Sequence, residues 1–209
     1  MASETYAGGC GGLPWEPFVP VGPGAAKLNA QMEAANEPNL RWAWSTRRVR
    51  ARRPAPGDEE RYRALLLDPE VSRWLRSSPD APFTRSEADS WLTGDLRHWE
   101  ARGFGPCLLC DRADDSFVGR GGLRWTEVAG ERCIELTYAL VSERWGQGLA
   151  TEAARATVSW AQRLDLIELV ALTLPANVAS RRVIERAGLS FSGEVEQAGM
   201  THLLYRLAL

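Results

Sequence analysis

Apolar and polar positions follow two periods along this chain, and the changes between them mark its elements. Residues 47–53 alternate, which predicts a first strand closed by Pro54 and the Pro56-Gly57-Asp58 turn. Asp58 stands where it can cap a helix running to Leu67, with Asp68-Pro69 as its stop, and residues 70–75 suit a second short helical piece. Thr84 followed three residues later by Glu87 is a capping-box signature, and the helix it opens carries Trp91, Leu92, Leu96 and Trp99 on one side, which spacing alone favours as core over the border of a binding site. Strand patterns then follow at 107–112, 117–125 and 132–142, with Asp114-Asp115 and Ala129-Gly130 as the turns of an antiparallel meander.

Beyond Gly148 the period changes. Leu149, Ala153, Ala156, Trp160 and Leu164 recur every three or four residues while Glu152, Arg155, Ser159 and Arg163 take the other side, which predicts an amphipathic helix. Residues 167–174 are nearly continuously apolar, as in a strand covered on both faces. Strand, helix and strand in that order make a crossover, so 134–141 and 167–174 are expected to run parallel. A helix from Asn177 to a glycine cap at Gly188 and strands at 190–197 and 201–207 complete the pattern. The fold class is α+β.

Residues 1–45 read differently, with Gly8-Gly9-Cys10-Gly11-Gly12, four prolines between Pro14 and Pro23, and little periodicity before a possible helix at 25–35. This is the composition of an arm, leaving 46–209 as the domain. Trp15, Phe18, Trp42 and Trp44 are costly to leave wet, so part of the arm is expected to dock on the domain or on a second subunit, as in a homodimer.

Composition narrows the classes. In 209 residues, 44% hydrophobic and 25% charged content fits one soluble globular domain, and no apolar run approaches the length of a membrane span. The start lacks a secretory pattern, so the expected location is cytoplasmic. A formal net charge of −2 argues against a dedicated nucleic-acid binder. Arg47, Arg48, Arg50, Arg52 and Arg53 cluster within the first strand pattern and are read as a solvated face. Cys107 and Cys110 form a lone C-x-x-C in an apolar run, and His98 and His202 begin no metal-spacing motif, so no metal is expected.

The chemistry gathers around Arg144-Trp145-Gly146-Gln147-Gly148-Leu149-Ala150-Thr151-Glu152-Ala153-Ala154, a glycine turn joining a strand pattern to a helix. Such a turn is more often a tight strand-to-helix connection than an anion site. In the second case free N–H groups and the positive end of the helix dipole hold a phosphate without a lysine. It lacks the lysine and hydroxyl of a Walker loop and the third glycine of a dinucleotide fingerprint. Upstream stands Cys133-Ile134-Glu135-Leu136-Thr137-Tyr138-Ala139-Leu140-Val141, and downstream Asn177-Val178-Ala179-Ser180-Arg181-Arg182-Val183-Ile184-Glu185-Arg186-Ala187-Gly188-Leu189.

Together these three blocks resemble the GNAT acetyltransferase superfamily from about Arg47 to Leu207. Trp-Gly-Gln-Gly-Leu-Ala-Thr-Glu-Ala with Asn-x-x-Ser-x-x-x-x-Glu-x-x-Gly-Leu is similar to its Rim-type branch, whose best-known members acetylate ribosomal-protein N-termini. The resemblance implies a twisted mixed sheet of about seven strands with a splayed parallel pair, flanked by about four helices. It also implies acetyl-CoA as co-substrate. Leu140, Val141 and Ser142 would line the pantetheine arm, and the main chain of Gly146, Gln147, Gly148, Leu149, Ala150 and Thr151 would hold the diphosphate. Trp145 departs from the Gln or Arg usual in the superfamily but is common in the branch.

Acetyl transfer is attack by an amine on a thioester carbonyl. An α-amino group, with pKa about 7.7–8.0 against about 10.4 for lysine, starts closer to its reactive form, and either gains from a general base. Glu135 is the candidate base, the bland alternative being a solvent-facing or ion-paired strand residue. Main-chain N–H groups near Leu140 would face the oxyanion. Asn177 would bond the pantetheine, unless it is only a helix cap, and Ser180 would lie near the sulfur. Many superfamily members carry a tyrosine seven residues after the asparagine, where this chain has Ile184. The thiol-protonating role therefore passes to Ser180, Tyr138, Tyr205 or water.

An amine acceptor, either a small molecule or a protein N-terminus, is the first reading. A catalytically idle acyl-CoA sensor or interaction module is the second. An aminoglycoside-type acetyltransferase is the third, and would need an acidic cleft, for which Asp58, Glu59, Glu60, Glu87, Asp89 and Asp95 are the available acids.

Overall fold

The computed structural model describes residues 42–75 and 82–209. The expected helix at 25–35, the docking of Trp15 and Phe18, and Cys10 lie outside the described residues. Among the described residues eight strands form one sheet: β1 (Trp44–Ser45), β2 (Val49–Arg52), β3 (Pro106–Asp111), β4 (Phe117–Val128), β5 (Glu131–Leu140), β6 (Glu168–Thr173), β7 (Ser190–Gln197) and β8 (Met200–Ala208). Their spatial order is β1-β2-β3-β4-β5-β6-β8-β7. Every neighbouring pair is antiparallel except β5 and β6, which run parallel as the crossover predicts. The eighth strand is β1, whose two residues are too few for periodicity to reveal.

Five helices are present among the described residues: α1 (Glu59–Leu66), α2 (Pro69–Ser72), α3 (Arg85–Arg102), α4 (Leu149–Arg163) and α5 (Val178–Arg186). None is long and apolar enough to cross a membrane. The Thr84–Glu87 capping box forms in both directions, and α3 ends on Gly103 in the left-handed conformation. Asp58 does occupy the position before α1, but its side chain makes no capping bond. Its buried carboxylate instead accepts from Arg52 at 2.7 and 2.8 Å, from Arg61 at 2.7 Å and from the Ala55 N–H at 2.8 Å. Two guanidiniums outcompete one helix N–H for a buried carboxylate.

Successive strand residues point to opposite faces, which sorts the core into two layers. Leu109, Leu123, Leu136 and Leu140 pack with Leu149, Ala153 and Trp160 of α4 and Ile184 of α5. Leu108 points the other way, against Tyr62 and Leu66 of α1 and Leu92 of α3. Helix α3 serves both layers, because Trp99 stacks on Trp160 with centroids 5.9 Å apart and donates its indole N–H to the Pro106 carbonyl at 2.7 Å. Within α4, Thr157 and Val158 are buried where the spacing had placed Ala156. Gly119 is a steric necessity: a Cβ there would collide with the Ala139 carbonyl of β5.

A charged network is sealed beneath α1 and α3. Arg120 of β4 forks onto Asp95 at 2.6 and 2.7 Å, and Tyr62 donates to the same carboxylate at 2.5 Å. All three are buried. Breaking a pair of this kind by removing one partner typically costs about 3–5 kcal/mol, because a naked charge remains inside.

His98 is held as the neutral ring. Its Nε2 accepts the Trp125 N–H at 2.9 Å, so Nδ1 carries the proton toward the Phe104 carbonyl at 2.8 Å. Burial is the largest influence and lowers its pKa from 6.5 to about 4, with the Arg124 and Arg102 charges adding to it against Phe104 and Asp95. Because the folded value lies below the unfolded one, the unfolded chain binds the extra proton first. Stability is therefore full above about pH 6.5 and drains as the pH falls through 4, by roughly 3 kcal/mol. Urea unfolding across this range should show that slope in the native protein and a flatter one in His98→Gln.

Candidate functional site

The sheet opens where β5 and β6 part. Their one registered pair is Glu135 with Val170, although five residues of β5 follow Glu135 before Leu140 ends the strand. The Val141 N–H donates to the Val118 carbonyl at 3.1 Å, on the β4 side. Backbone groups alternate in direction along a strand, so those of Leu140 and Tyr138 face the gap. The Leu140 carbonyl already accepts the Trp145 indole N–H at 2.8 Å, which leaves its N–H directed at the opening.

Beyond the gap lies the glycine turn. Ser142–Arg144 form a single 3₁₀ turn, in which Trp145 donates its N–H to the Ser142 carbonyl at 3.1 Å. Gly146 and Gly148 then take the left-handed conformation at φ 73° and 74°, and α4 begins at Leu149. Glu152 is the next residue whose N–H finds a carbonyl, that of Gly148 at 3.1 Å. Among the described residues, no acceptor meets the N–H groups of Gly146, Gln147, Gly148, Leu149, Ala150 or Thr151. A row of free donors at the positive end of a fifteen-residue helix fits a diphosphate.

Arg48 braces this loop from the β1–β2 turn. Its NH1 donates to the Gln147 carbonyl at 2.8 Å, while Nε and the backbone N–H donate to Glu152 at 2.7 and 2.9 Å. Thr46 adds a hydroxyl to the same carboxylate at 2.5 Å. Burial works to raise the Glu152 pKa, yet these bonds hold it below the usual value. A groove of about 760 Å³ starts here, lined by Trp44, Arg48, Gly148, Glu152, Arg155 and Arg163. Of the expected solvated arginine face, Arg47 and Arg53 are exposed, while the other three are corrected: Arg48 pairs with Glu152, Arg50 with Asp115, and Arg52 with Asp58, because each lies within reach of an acid from another element.

Tyr138 and Ser180 are brought together on the α4–α5 face. The Tyr138 hydroxyl lies 2.9 Å from Ser180 Oγ and donates to the Ser180 carbonyl at 3.0 Å. Burial raises the Tyr138 pKa, so the phenol stays protonated at neutral pH and can give a proton. Asn177 caps α5, its Oδ1 accepting the Ser180 N–H at 3.0 Å, which realises the cap reading and leaves its NH₂ without a bond to another described residue. Tyr205 is buried and donates its hydroxyl to Glu185 at 3.4 Å.

Glu135 stands apart from them. It pairs across the strands with Arg124, and the next pairs on that face are Gly122 with Thr137 and Arg120 with Ala139. Arg120 reaches Asp95 under α3, so Glu135 projects to the face opposite Tyr138 and Ser180. It is 9% exposed and has no ion-pair partner among the described residues, which removes both bland readings of it. Burial is the largest influence and raises its pKa, while the positive Arg124 and Arg120 oppose the rise. A carboxylate desolvated in this way holds a proton more readily than an exposed one.

Of the acids named for an aminoglycoside cleft, Glu59 accepts only the Gly57 N–H, at 3.2 Å, and the other five are spent on arginines or on a helix cap. Asp58 serves Arg52 and Arg61, Glu60 serves Arg63, Asp89 serves Arg63, Asp95 serves Arg120, and Glu87 closes the α3 cap. Cys107, Cys110 and Cys133 are buried free thiols. No group of three metal-ligating side chains occurs among the described residues.

Residues 48–190 match the family described as the acetyltransferase (GNAT) domain. The chain is 27% identical over 154 residues to the uncharacterized protein YkkB of Bacillus subtilis, covering 73% of this chain and 87% of that one. It is 31% identical over 141 residues to the FsC-acetyl coenzyme A-N(2)-transacetylase of Aspergillus fumigatus, covering 60% of this chain and 55%, about half, of that protein. Among solved structures, an acetyltransferase from Agrobacterium tumefaciens superposes with a TM-score of 0.67 at 26% identity, over 78% of this chain and 92% of that one. RimL, the ribosomal L7/L12 alpha-N-protein acetyltransferase in complex with coenzyme A, superposes with a TM-score of 0.65 at 16% identity, over 80% and 98%.

Gly148→Val places a β-branched residue at φ 74°, a conformation that costs such a side chain on the order of 1–3 kcal/mol. A Cβ there would sit only in ordinary contact with Arg48, so the harm is to the backbone. Calorimetric titration with coenzyme A is expected to lose its signal while the melting transition survives; unaltered titrations would contradict the loop assignment.

Proposed function

Because the chain belongs to the GNAT acetyltransferase family, we propose that it moves an acetyl group from acetyl-CoA to a primary amine, by direct attack of the amine on the thioester. The observation that carries this reading is the conjunction of the one-point β5–β6 pairing with the acceptor-free amides that follow it. A pantetheine arm can lie along the strand edges that the gap leaves unpaired, much as an added strand would, past Leu140, Val141 and Ser142. The main chain of residues 146–151 then takes the diphosphate.

The two faces divide the chemistry. Glu135, opposite the helices α4 and α5, accepts the proton of the incoming ammonium, directly or through water. The Leu140 N–H, aimed into the gap, donates to the oxygen that becomes negative as the carbonyl turns tetrahedral. On the other face the protonated Tyr138, linked to Ser180, delivers a proton to the departing thiolate, and the Asn177 NH₂, not used by the helix cap, bonds the pantetheine. Buried Glu135 with its raised pKa becomes the stronger base, and must be ionised before it acts.

The acceptor is a protein N-terminus or a small amine. The Rim-type sequence blocks and the shape shared with RimL support the N-terminus, whose amine is the more readily deprotonated. The spent acids speak against a polycationic acceptor such as an aminoglycoside, although an aminoglycoside acetyltransferase in complex with coenzyme A shares the fold with a TM-score of 0.63 at 17% identity.

Incubation with acetyl-CoA and a panel of peptides and amines, followed by free thiol, is expected to show acceptor-dependent release. Coenzyme A binding without release for any acceptor would favour an idle sensor. Glu135→Gln should lower turnover by roughly 10²–10⁴-fold, most at pH values below the pKa of the amine but above that of Glu135, with coenzyme A affinity intact. An equal loss of affinity would contradict the base role.

A further inference from the structure

Six free amides make a binding site only if they point the same way, and the loop that carries them contains two glycines in the left-handed conformation. A peptide flanked by glycine turns over at little steric cost. Something outside the loop has to hold it.

We infer that Arg48 is a positioning residue for the coenzyme: it fixes the Gln147–Gly148 peptide so that the Gly148 N–H and the Thr151 N–H both remain directed at the diphosphate. This rests on reading residues 146–151 as the diphosphate site. In a trans peptide the C=O and the next N–H point in opposite directions. Arg48 NH1 draws the Gln147 carbonyl to its own side at 2.8 Å, so the Gly148 N–H is sent to the opposite side of the loop.

A second consequence concerns Thr151. Continued helically, the Gln147 carbonyl would accept the Thr151 N–H four residues on. Instead it is taken by the guanidinium, and the Thr151 N–H has no acceptor among the described residues. Arg48 thus replaces a ligand-competent donor with its own.

Arg48 also deals with the one acid in the first turn of α4. Glu152 would repel a diphosphate bound a turn away, but Arg48 and Thr46 occupy both its oxygens. The same side chain aims the donors and neutralises their rival. These two contributions are separable.

The test compares binding of coenzyme A with binding of pantetheine, which lacks the diphosphate, to the full-length protein. In Arg48→Met the coenzyme A Kd is expected to rise roughly 10–100-fold, the scale of a lost charge-assisted hydrogen bond, with the pantetheine Kd unchanged. Arg48→Met combined with Glu152→Gln removes the repulsion too and is expected to stay weak, because the peptide is still unheld. Native coenzyme A affinity in the single variant overturns the inference; so does equal weakening of both ligands, which a general loosening would give. Recovery in the double variant would assign the effect to charge alone and overturn the orienting role. Should Arg48→Met not fold, Arg48→Lys, whose single ammonium cannot serve Gln147 and Glu152 in the same way, is expected to show a smaller rise of the same selectivity, and native affinity there overturns the inference. Failure of the unmodified protein to bind coenzyme A would instead sink the diphosphate reading beneath it.

Discussion

The molecule is built around a sheet that is joined at one point and left open beside it. Glu135 and Val170 are the one registered pair between β5 and β6, and the strands carry on without bonding to each other. Unpaired backbone inside a protein is expensive, so such an opening persists only if water or a ligand supplies the missing partners. The flanking structure makes the gap durable. β4 pairs with β5 along nearly its whole length, from Val128–Glu131 to Gly119–Leu140, while β8 pairs with β6 from Glu168 to Thr173. Each half is firm in itself, and neither can close on the other.

The same economy governs the loop beyond. Without a lysine, charge complementarity comes from the helix terminus and from peptide dipoles, whose worth depends on direction. Direction is supplied from a distance in sequence: Arg48 belongs to the turn between the first two strands, about a hundred residues before the glycines it braces. At the other end of the loop, the Trp145 indole and the Val118 carbonyl hold the Leu140–Val141 peptide from its two sides.

The elements with strong local signals were legible in the residues. The Thr84–Glu87 cap, the alternation through β3 to β5 and the apolar run of β6 depend on neighbours within a few positions, and each appears near its expected bounds. The glycine turn was legible as a turn, and the blocks around it pointed to the family that the chain matches. What stayed hidden depends on pairing across long separations. Arg48 looked like part of a wet arginine stripe because Glu152 lies 104 residues away. Asp58 looked like a cap because Arg52 is invisible to a helix rule, and the acids that suggested a cationic acceptor were counted without their arginines. That Glu135 and Tyr138 serve opposite faces follows from their odd separation in a strand, a signal that was present and went unread.

That odd separation has a consequence for how such a protein can change over time. On the function proposed above, the coenzyme grip is assembled on the side of α4 and α5, whereas the base candidate belongs to the side partly roofed by α1 and α3. Substitutions in the roof that spare Trp99, its link to α4, leave the grip untouched. Lineages can therefore trade one recipient for another in small steps, each intermediate still able to load its donor.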